Sequence, residues 1–442
     1  MLRIPLTCLA ACMAVGVPAA QAAEAFSADS AWMTGDWGGL RREWLARGID
    51  IKLGYTGETS TLMRGGYHSG DRSTRYADQF NAGVDLDLQR LFGWQDAAFS
   101  LSLSNRNGAH NLNEKISDPR ATGMGSTQEI QGRGSVIRLS ELWLSKGWYD
   151  DALNIKAGRF AVSDDFAVED CLFQNLAFCG SQPGNYVDTI YNGPISQWAT
   201  RVRYRLGSEL YAQIGAFNIN PSDLSNDNGF RLNGSGTQGT LVPVELVWFT
   251  KVNRLPGEYR VGYYHSNANG TDVYKDEDNQ PAAITGNAYR SDSSRHGLWV
   301  VGKQQLTSVA GDAARGLTVA ASATFQDRAT TPVDSYQKVS LSYKGLFDTR
   351  PIDTLSLGVA RVHASSPFLR NARTTNARTG ASDVEAGYLP EQHSMYVAEL
   401  NYGVQATRWL NIMPSLQYVK DPDGVREVQS AWVMGMQVQS QF

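Results

Sequence analysis

Along most of the chain, apolar and polar residues alternate, which is the period-2 pattern of a strand with two different faces. Phe99, Leu101 and Leu103 alternate with Ser100, Ser102 and Ser104; Leu317, Val319, Ala321, Ala323 and Phe325 alternate with Thr318, Ser322, Thr324 and Gln326. Such stretches predict strands near 50–60, 79–89, 97–106, 136–147, 153–161, 196–206, 209–219, 241–250, 257–267, 296–306, 315–326, 333–344, 353–363, 393–405, 409–419 and 429–442, sixteen in all. Long connections (61–78, 107–135, 162–195, 220–240, 268–295, 364–392) alternate with short ones (90–96, 148–152, 207–208, 251–256, 407–408), and 327–332 and 420–428 are short members of the long set. An even strand number with tight turns at one end and long loops at the other is the arrangement of an outer-membrane barrel. Lipid demands an apolar outside and a closed sheet, while a watery inside tolerates Ser, Thr, Gln, Arg and Asp. The expected fold is all-β: a 16-stranded antiparallel transmembrane β-barrel over 49–442.

The chain ends support this orientation. Trp432, Met434, Met436, Val438 and Phe442 share one parity and Gln437, Gln439 and Gln441 the other, so the last strand shows lipid an apolar face. A terminal Phe there is similar to the C-terminal signature of outer-membrane barrels. Trp94, Trp148, Tyr149 and Trp409 fall at predicted short turns, where a periplasmic aromatic girdle would sit.

Composition narrows the class. Mean hydropathy is -0.34, and beyond the N-terminus no apolar run approaches the ~18 residues of a membrane-crossing helix. The 11 Trp, 19 Tyr and 15 Phe exclude a disordered chain, and a net charge of -4 gives no bias toward nucleic acid. Arg outnumbers Lys 30 to 10, and Arg offers fixed planar hydrogen-bond forks suited to polar ligands. Arg3, the apolar stretch from Ile4 to Val17 and the small residues around Ala20 and Ala22 predict a signal peptide over 1–22, cut after Ala22 or Ala23. Leu9 to Cys12 fits a lipoprotein-type site but leaves only eleven residues upstream. Residues 23–48 would then be a periplasmic N-terminal segment.

Loss of the signal removes Cys8 and Cys12, so Cys171 and Cys179 remain, in an oxidising compartment where a disulfide between them is expected. The six His (68, 110, 265, 296, 363, 393) are scattered without metal-ligand spacing. No metal, cofactor or obligate protein partner is implied. Gly234-x-Gly236-x-x-Gly239 matches a dinucleotide fingerprint by letter, but it precedes a strand rather than opening a helix. Asp276-Glu-Asp278-Asn279 lacks the spacing of an EF-hand loop and is read as a solvated turn, calcium being the alternative. No G-x-S-x-G stretch suggests a hydrolase, so an outer-membrane enzyme is the outsider.

Candidate pore residues follow from parity. Arg201, Arg203 and Arg205 alternate with Val202 and Tyr204, which turns the three guanidinia away from lipid. Asp85, Asp87, Glu245, Glu258, Arg260, Lys338, Lys344 and Glu399 share that inward parity. Counting in from the strand ends places Asp85, Arg201, Glu245, Lys338 and Glu399 near mid-height, a ring of opposed charges that favours hydroxyl-rich solutes over apolar ones. Arg201 is expected near the narrowest level, with its fork held across the lumen by Glu245 or Glu399. The strands 136–147, 153–161 and 296–306 have ambiguous parity. The segment from Phe166 to Trp198, with its two cysteines and Phe173, Phe178, Tyr186 and Tyr191, is expected to fold inward and narrow the wide channel of a 16-stranded barrel.

Several long runs carry a family resemblance: Trp32-Met-Thr-Gly-Asp-Trp-Gly-Gly39, Tyr76-Ala-Asp-Gln-Phe80, Phe173 to Gln182, Asn228-Gly-Phe, Leu255 to Tyr264 and Arg315-Gly-Leu. The chain resembles the carbohydrate-selective, OprB-like outer-membrane porins of Gram-negative bacteria. The resemblance implies a 16-stranded barrel, passive entry of glucose-like sugars, a pore narrowed by infolded loops and a short periplasmic helix over Trp37 to Arg47. The loop 364–392, with Arg370, Arg373 and Arg378, has no family pattern, so other small polar or anionic solutes, such as cyclic hydroxy-acids, or general diffusion are the alternatives.

Overall fold

In the computed structural model, which describes residues 23–70, 72–108, 110–130, 135–292 and 294–442, the chain closes into a barrel. The expected signal segment 1–22 lies outside the described residues. In chain order the strands are β1 (Ile49–Gly66), β2 (Thr74–Asp87), β3 (Ala97–Asn107), β4 (Val136–Trp148), β5 (Leu153–Phe160) and β6 (Gln197–Arg205). They continue with β7 (Leu210–Ile219), β8 (Gly239–Val252), β9 (Leu255–Ser266), β10 (Gly270–Asp276), β11 (Tyr289–Asp292) and β12 (Arg295–Gln305). The last six are β13 (Gly316–Gln326), β14 (Val333–Lys344), β15 (Thr354–Ala364), β16 (Ser394–Gln405), β17 (Leu410–Lys420) and β18 (Gln429–Gln441). Sixteen form the barrel, β9 pairing with β12 and β1 with β18, and β10 and β11 make a separate external hairpin. Closure leaves no strand edge for lipid to contact. The sixteen alternating segments of the sequence are these sixteen strands.

The outward positions are apolar and exposed: Val244, Leu246 and Trp248 on β8, Leu357 and Val359 on β15, Trp432, Met434 and Met436 on β18. The interior is not simply water. Residues 111–130 and 162–195 fold into the barrel and create two apolar clusters against its inner wall. One joins Leu62, Phe173, Phe178, Tyr336, Val362 and Val433; the other joins Phe160, Phe166, Phe217, Leu241, Tyr264 and Trp299. This explains the ambiguous parity of β12, whose inward Trp299 and Val301 meet a loop instead of solvent. In β4 the cause is a bulge, the register skipping Ser140 between Glu141 and Leu139, so that Leu144 below it and Ile137 above it both face out.

Two connections differ from the simple loops expected. The segment 268–295 contains the β10–β11 hairpin, and 364–392 contains a helix, Ser366–Thr379. Ser365 Oγ accepts from the Phe368 N–H at its start, and Gly380 ends it in the left-handed conformation. Ser, Thr, Asn and Arg supply no apolar stripe, which is why periodicity missed it. On the periplasmic side the helix is Leu40–Arg47 rather than Trp37 to Arg47, because Trp37, Gly38 and Gly39 all have positive φ. Arg41 pins this segment to the barrel through the carbonyls of Phe442 and Ile51 and stacks 4.2 Å from the Trp32 ring.

Candidate functional site

The site is built where the segment leaving β5 enters the lumen and returns to β6. Phe160 and Phe166 meet Phe217 edge to face, with ring centroids 5.4 and 5.8 Å apart, which seats the descending arm on β7. The Ala167 N–H donates to Glu245 Oε1 (2.9 Å), and the same carboxylate accepts from Trp299 (2.7 Å), Gln213 (2.7 Å) and Arg260 (3.0 Å). At the turn of the segment Glu169 pairs with Lys338 and Asp170 with Lys303 (3.0 Å), and Cys171 and Cys179 are joined by a disulfide. The returning arm gives the N–H groups of Gln174 and Asn175 to the two oxygens of Glu399, at 2.9 and 2.8 Å.

The other infolded segment is held in the same way. Glu58 on β1 accepts from the Ile130 N–H (3.4 Å) and from Gln437 Nε2 (2.7 Å), while Gln128 Nε2 donates to the Glu58 carbonyl. The two segments touch where the Leu176 N–H meets the Ser126 carbonyl (3.0 Å). Glu58, Glu245 and Glu399 are each at most 3% exposed. Buried carboxylates need several donors, and here backbone N–H groups of the loops supply part of them.

This arrangement corrects the expected ring of opposed charges. Arg201 is 5% exposed; its Nε lies 3.4 Å from Asp165 and its Nη1 bonds Asn154, so it is linked to neither Glu245 nor Glu399 across the lumen. Asp165, on the infolded segment, also receives Lys156 at 3.0 Å. The physical reason is that the loop enters between wall and solvent and meets the wall charges first. Lys338 and Glu399 are covered likewise. Arg203 reaches Asp151 (3.5 Å) and Arg205 the Asp150 carbonyl (3.1 Å), both at a periplasmic turn. Asp85 binds Lys52 and Ser100, and Asp87 accepts from the Arg90 N–H of the short turn after β2.

Below the infolded segment, toward the periplasm, lies an open cavity of about 770 Å³. Asp170, Lys303, Glu258, Arg260 and Lys344 face it, among Ser, Thr, Asn and Gln side chains. Glu258 pairs with Arg260 (2.6 Å) and Lys303 (3.6 Å). A cavity of this size takes a small polar solute, and its ion pairs present both donors and acceptors.

A family model described as "Carbohydrate-selective porin, OprB family" matches residues 71–442. The chain is 49% identical to Porin B of Pseudomonas aeruginosa over 440 residues, 98% of this chain and 97% of that one. The structure of Pseudomonas putida OprB at high pH superposes with a TM-score of 0.93 at 50% identity, covering 95% of this chain and all of that one. The chain belongs to the OprB family of carbohydrate-selective porins. It is a barrel of the outer membrane.

Within this OprB-family porin, several residues of the site escaped parity reasoning. Asp165 and Asp170 lie on a loop, where no periodicity applies. Lys156 and Lys303 lie on β5 and β12, two strands of ambiguous parity. Glu58 was legible, because it shares its face with Ser60 and Leu62, but β1 has few alternating apolar residues to mark that face. The glycine motif stands at a close backbone approach, and Asp276 of the acidic cluster is buried instead of solvated. A Cβ on Gly239 would lie within 2.6–2.8 Å of Asn267 and Ala268, and Asp276 accepts from the N–H groups of Asp278 and Gln280 and from Thr285.

Proposed function

We propose that this porin passes neutral, hydroxyl-rich solutes of sugar size into the periplasm, and that the cavity below the infolded segment is where they are sorted. The charge balance there carries the reading. Glu169, Asp170 and Glu258, with Glu245 behind Arg260, stand against Arg260, Lys303, Lys338 and Lys344, and each of the acids sits in an ion pair. Paired charges offer directional hydrogen bonds at little net potential, which suits a neutral sugar better than an anion. Asp170, Lys303, Glu258 and Arg260 are the groups assigned to meet the solute. Arg201, Glu245, Lys338 and Glu399 are assigned to hold the walls, and Arg203, Arg205, Asp85 and Asp87 to line the periplasmic side.

Conductance in planar bilayers tests this. Single channels should show weak ion selectivity, and glucose-class sugars should reduce the current in a saturable way. Strong chloride selectivity with block by organic acids but not by sugars would replace this reading with an anion channel.

A further inference from the structure

Outside the lumen, on the lipid side, the row of outward residues running across β14 to β18 changes character within one step. Val339, Val359, Ala398, Tyr418 and Trp432 are register partners in sequence around the wall, and all five belong to the outward face. Two residues nearer the extracellular end, roughly 6–7 Å along each strand, the row reads Gln337, Arg361, Tyr396, Lys420. Aliphatic and aromatic residues thus give way to two cations where a bilayer passes from hydrocarbon to headgroup. At the extracellular ends of β7 and β8, on the other side of the barrel, the outward positions are the uncharged Asn218 and Thr240.

The cationic row forms the floor of an open cavity of about 600 Å³, completed from the loops by His393, Asp421 and Arg426. Arg361 is oriented by neutral partners, its Nε donating to Ser394 Oγ and its Nη1 to Gln337 Oε1, each at 3.1 Å. Lys420 lies 5.5 Å from the Tyr396 ring centre. Among the described residues, no ion pair joins Arg361, Lys420 or Arg426 to an acid. The neighbouring acids are engaged elsewhere or are few: Asp334 binds His363 (2.8 Å), Glu391 binds Arg373 (2.7 Å), and Asp421 and Glu427 remain. Burial, and then Arg426 and Arg373, hold the His393 imidazole below its usual value, as a locally positive field would.

We infer that this rim pocket binds a phosphorylated glycolipid of the outer leaflet, a lipid A type molecule, with its phosphate on Arg361, Lys420 and Arg426. Guanidinium forks match phosphate oxygens, and basic pockets at a membrane boundary recognise lipid headgroups. The acyl chains then run down the apolar strip of Val359, Leu357, Leu400 and Leu416 immediately below. A free phosphate would share the cations but would gain nothing from that strip.

The test uses the full-length folded protein, delipidated in detergent and offered bis-phosphorylated lipid A, with bound lipid counted by native mass spectrometry. The triple variant R361Q/K420Q/R426Q should bind at least tenfold less lipid A than the parent, and the parent should bind dephosphorylated lipid A comparably weakly. Heat-modifiable gel mobility and single-channel conductance report folding independently, and both should match the parent because none of the three side chains faces the lumen. Equal lipid A binding by a folded triple variant would overturn the inference. So would equal binding of the dephosphorylated lipid, which would leave acyl packing as the whole cause. Displacement of bound lipid A by equimolar inorganic phosphate would overturn it too, by assigning the pocket to a soluble anion.

Discussion

The extracellular and periplasmic halves of the lumen are built by the same strands and differ in what their inward residues meet. In the extracellular half those residues meet protein. Phe217, Leu241, Trp299, Tyr336 and Val362 pack on infolded loops, and Glu58, Glu245 and Glu399 accept loop N–H groups. In the periplasmic half, Glu258, Lys303, Lys344 and Gln439 border an open cavity. A lumenal charge therefore has two different uses in one barrel. High up it is engaged by the infolded loops, and lower down it borders the cavity proposed to meet the solute.

The sharpest way to break this comparison is to cut one carboxylate clasp. Glu399→Ala leaves the Gln174 and Asn175 N–H groups buried without acceptors, each costing about 1–3 kcal/mol. The returning arm should leave the wall, and single-channel conductance should rise at least twofold in a correctly assembled barrel. Glu399→Gln keeps one acceptor oxygen and should fall between parent and alanine. Unchanged conductance in Glu399→Ala would mean that the apolar contacts of Phe173 and Phe178 hold the arm unaided.

Arg201→Ala sharpens the same contrast from the stability side. Asp165 would keep Lys156 at 3.0 Å, so the loss should stay below the ~3–5 kcal/mol of an uncompensated buried charge. A lower thermal midpoint with unaltered sugar block is expected. Weakened block at unchanged stability would return Arg201 to the solute path. Lys303→Ala should do the reverse, weakening sugar block severalfold while leaving the midpoint within a few degrees, since Lys303 is partly exposed in the cavity. Current noise at graded sugar concentrations separates the two variants.

The barrel was legible because lipid imposes one rule on all sixteen outward faces, and Trp432, Met434 and Met436 obey it as plainly as Val244 and Leu246. The site was legible only in part. Parity found the inward charges Arg201, Glu245, Lys338 and Glu399, but it rests on a watery interior, and a loop that enters the lumen makes inward residues both apolar, as at Trp299, and buried, as at Arg201. Partners such as Asp165 and Gln174 are set by tertiary contact, which no local period encodes.

The disulfide offers a smaller effect. Closing so short a loop limits its entropic contribution to about 2–3 kcal/mol, and the segment is also held by Glu399 and Lys338. Cys171→Ser with Cys179→Ser should therefore lower the thermal midpoint and leave conductance nearly unchanged. A conductance rise equal to that of Glu399→Ala would show the bridge, not the clasp, to be the main restraint.

The smallest expected effect separates the loops from the wall by pH. Asp423, 3% exposed on the external turn between β17 and β18, accepts from the Met124 N–H at 2.7 Å and so ties that turn to the infolded segment 111–130. Burial raises its carboxyl above the usual value, and the bonds from Ser117 and Met124 offset this only in part. A raised carboxyl favours its protonated form in the folded state. The docked, buried state of the turn is thus most stable at acid pH, below the unfolded value near 4, and loses stability as pH rises through the raised folded value, although the Met124 bond itself favours the charged carboxylate. Hydrogen-exchange protection of the Met124 amide, corrected for intrinsic rates, should be modestly higher at pH 5 than at pH 8. Asp423→Asn, which holds the neutral form at both, should remove most of that difference. Protection that falls on acidification would reverse the sign and show that the bonds from Ser117 and Met124 outweigh the cost of burying the charge.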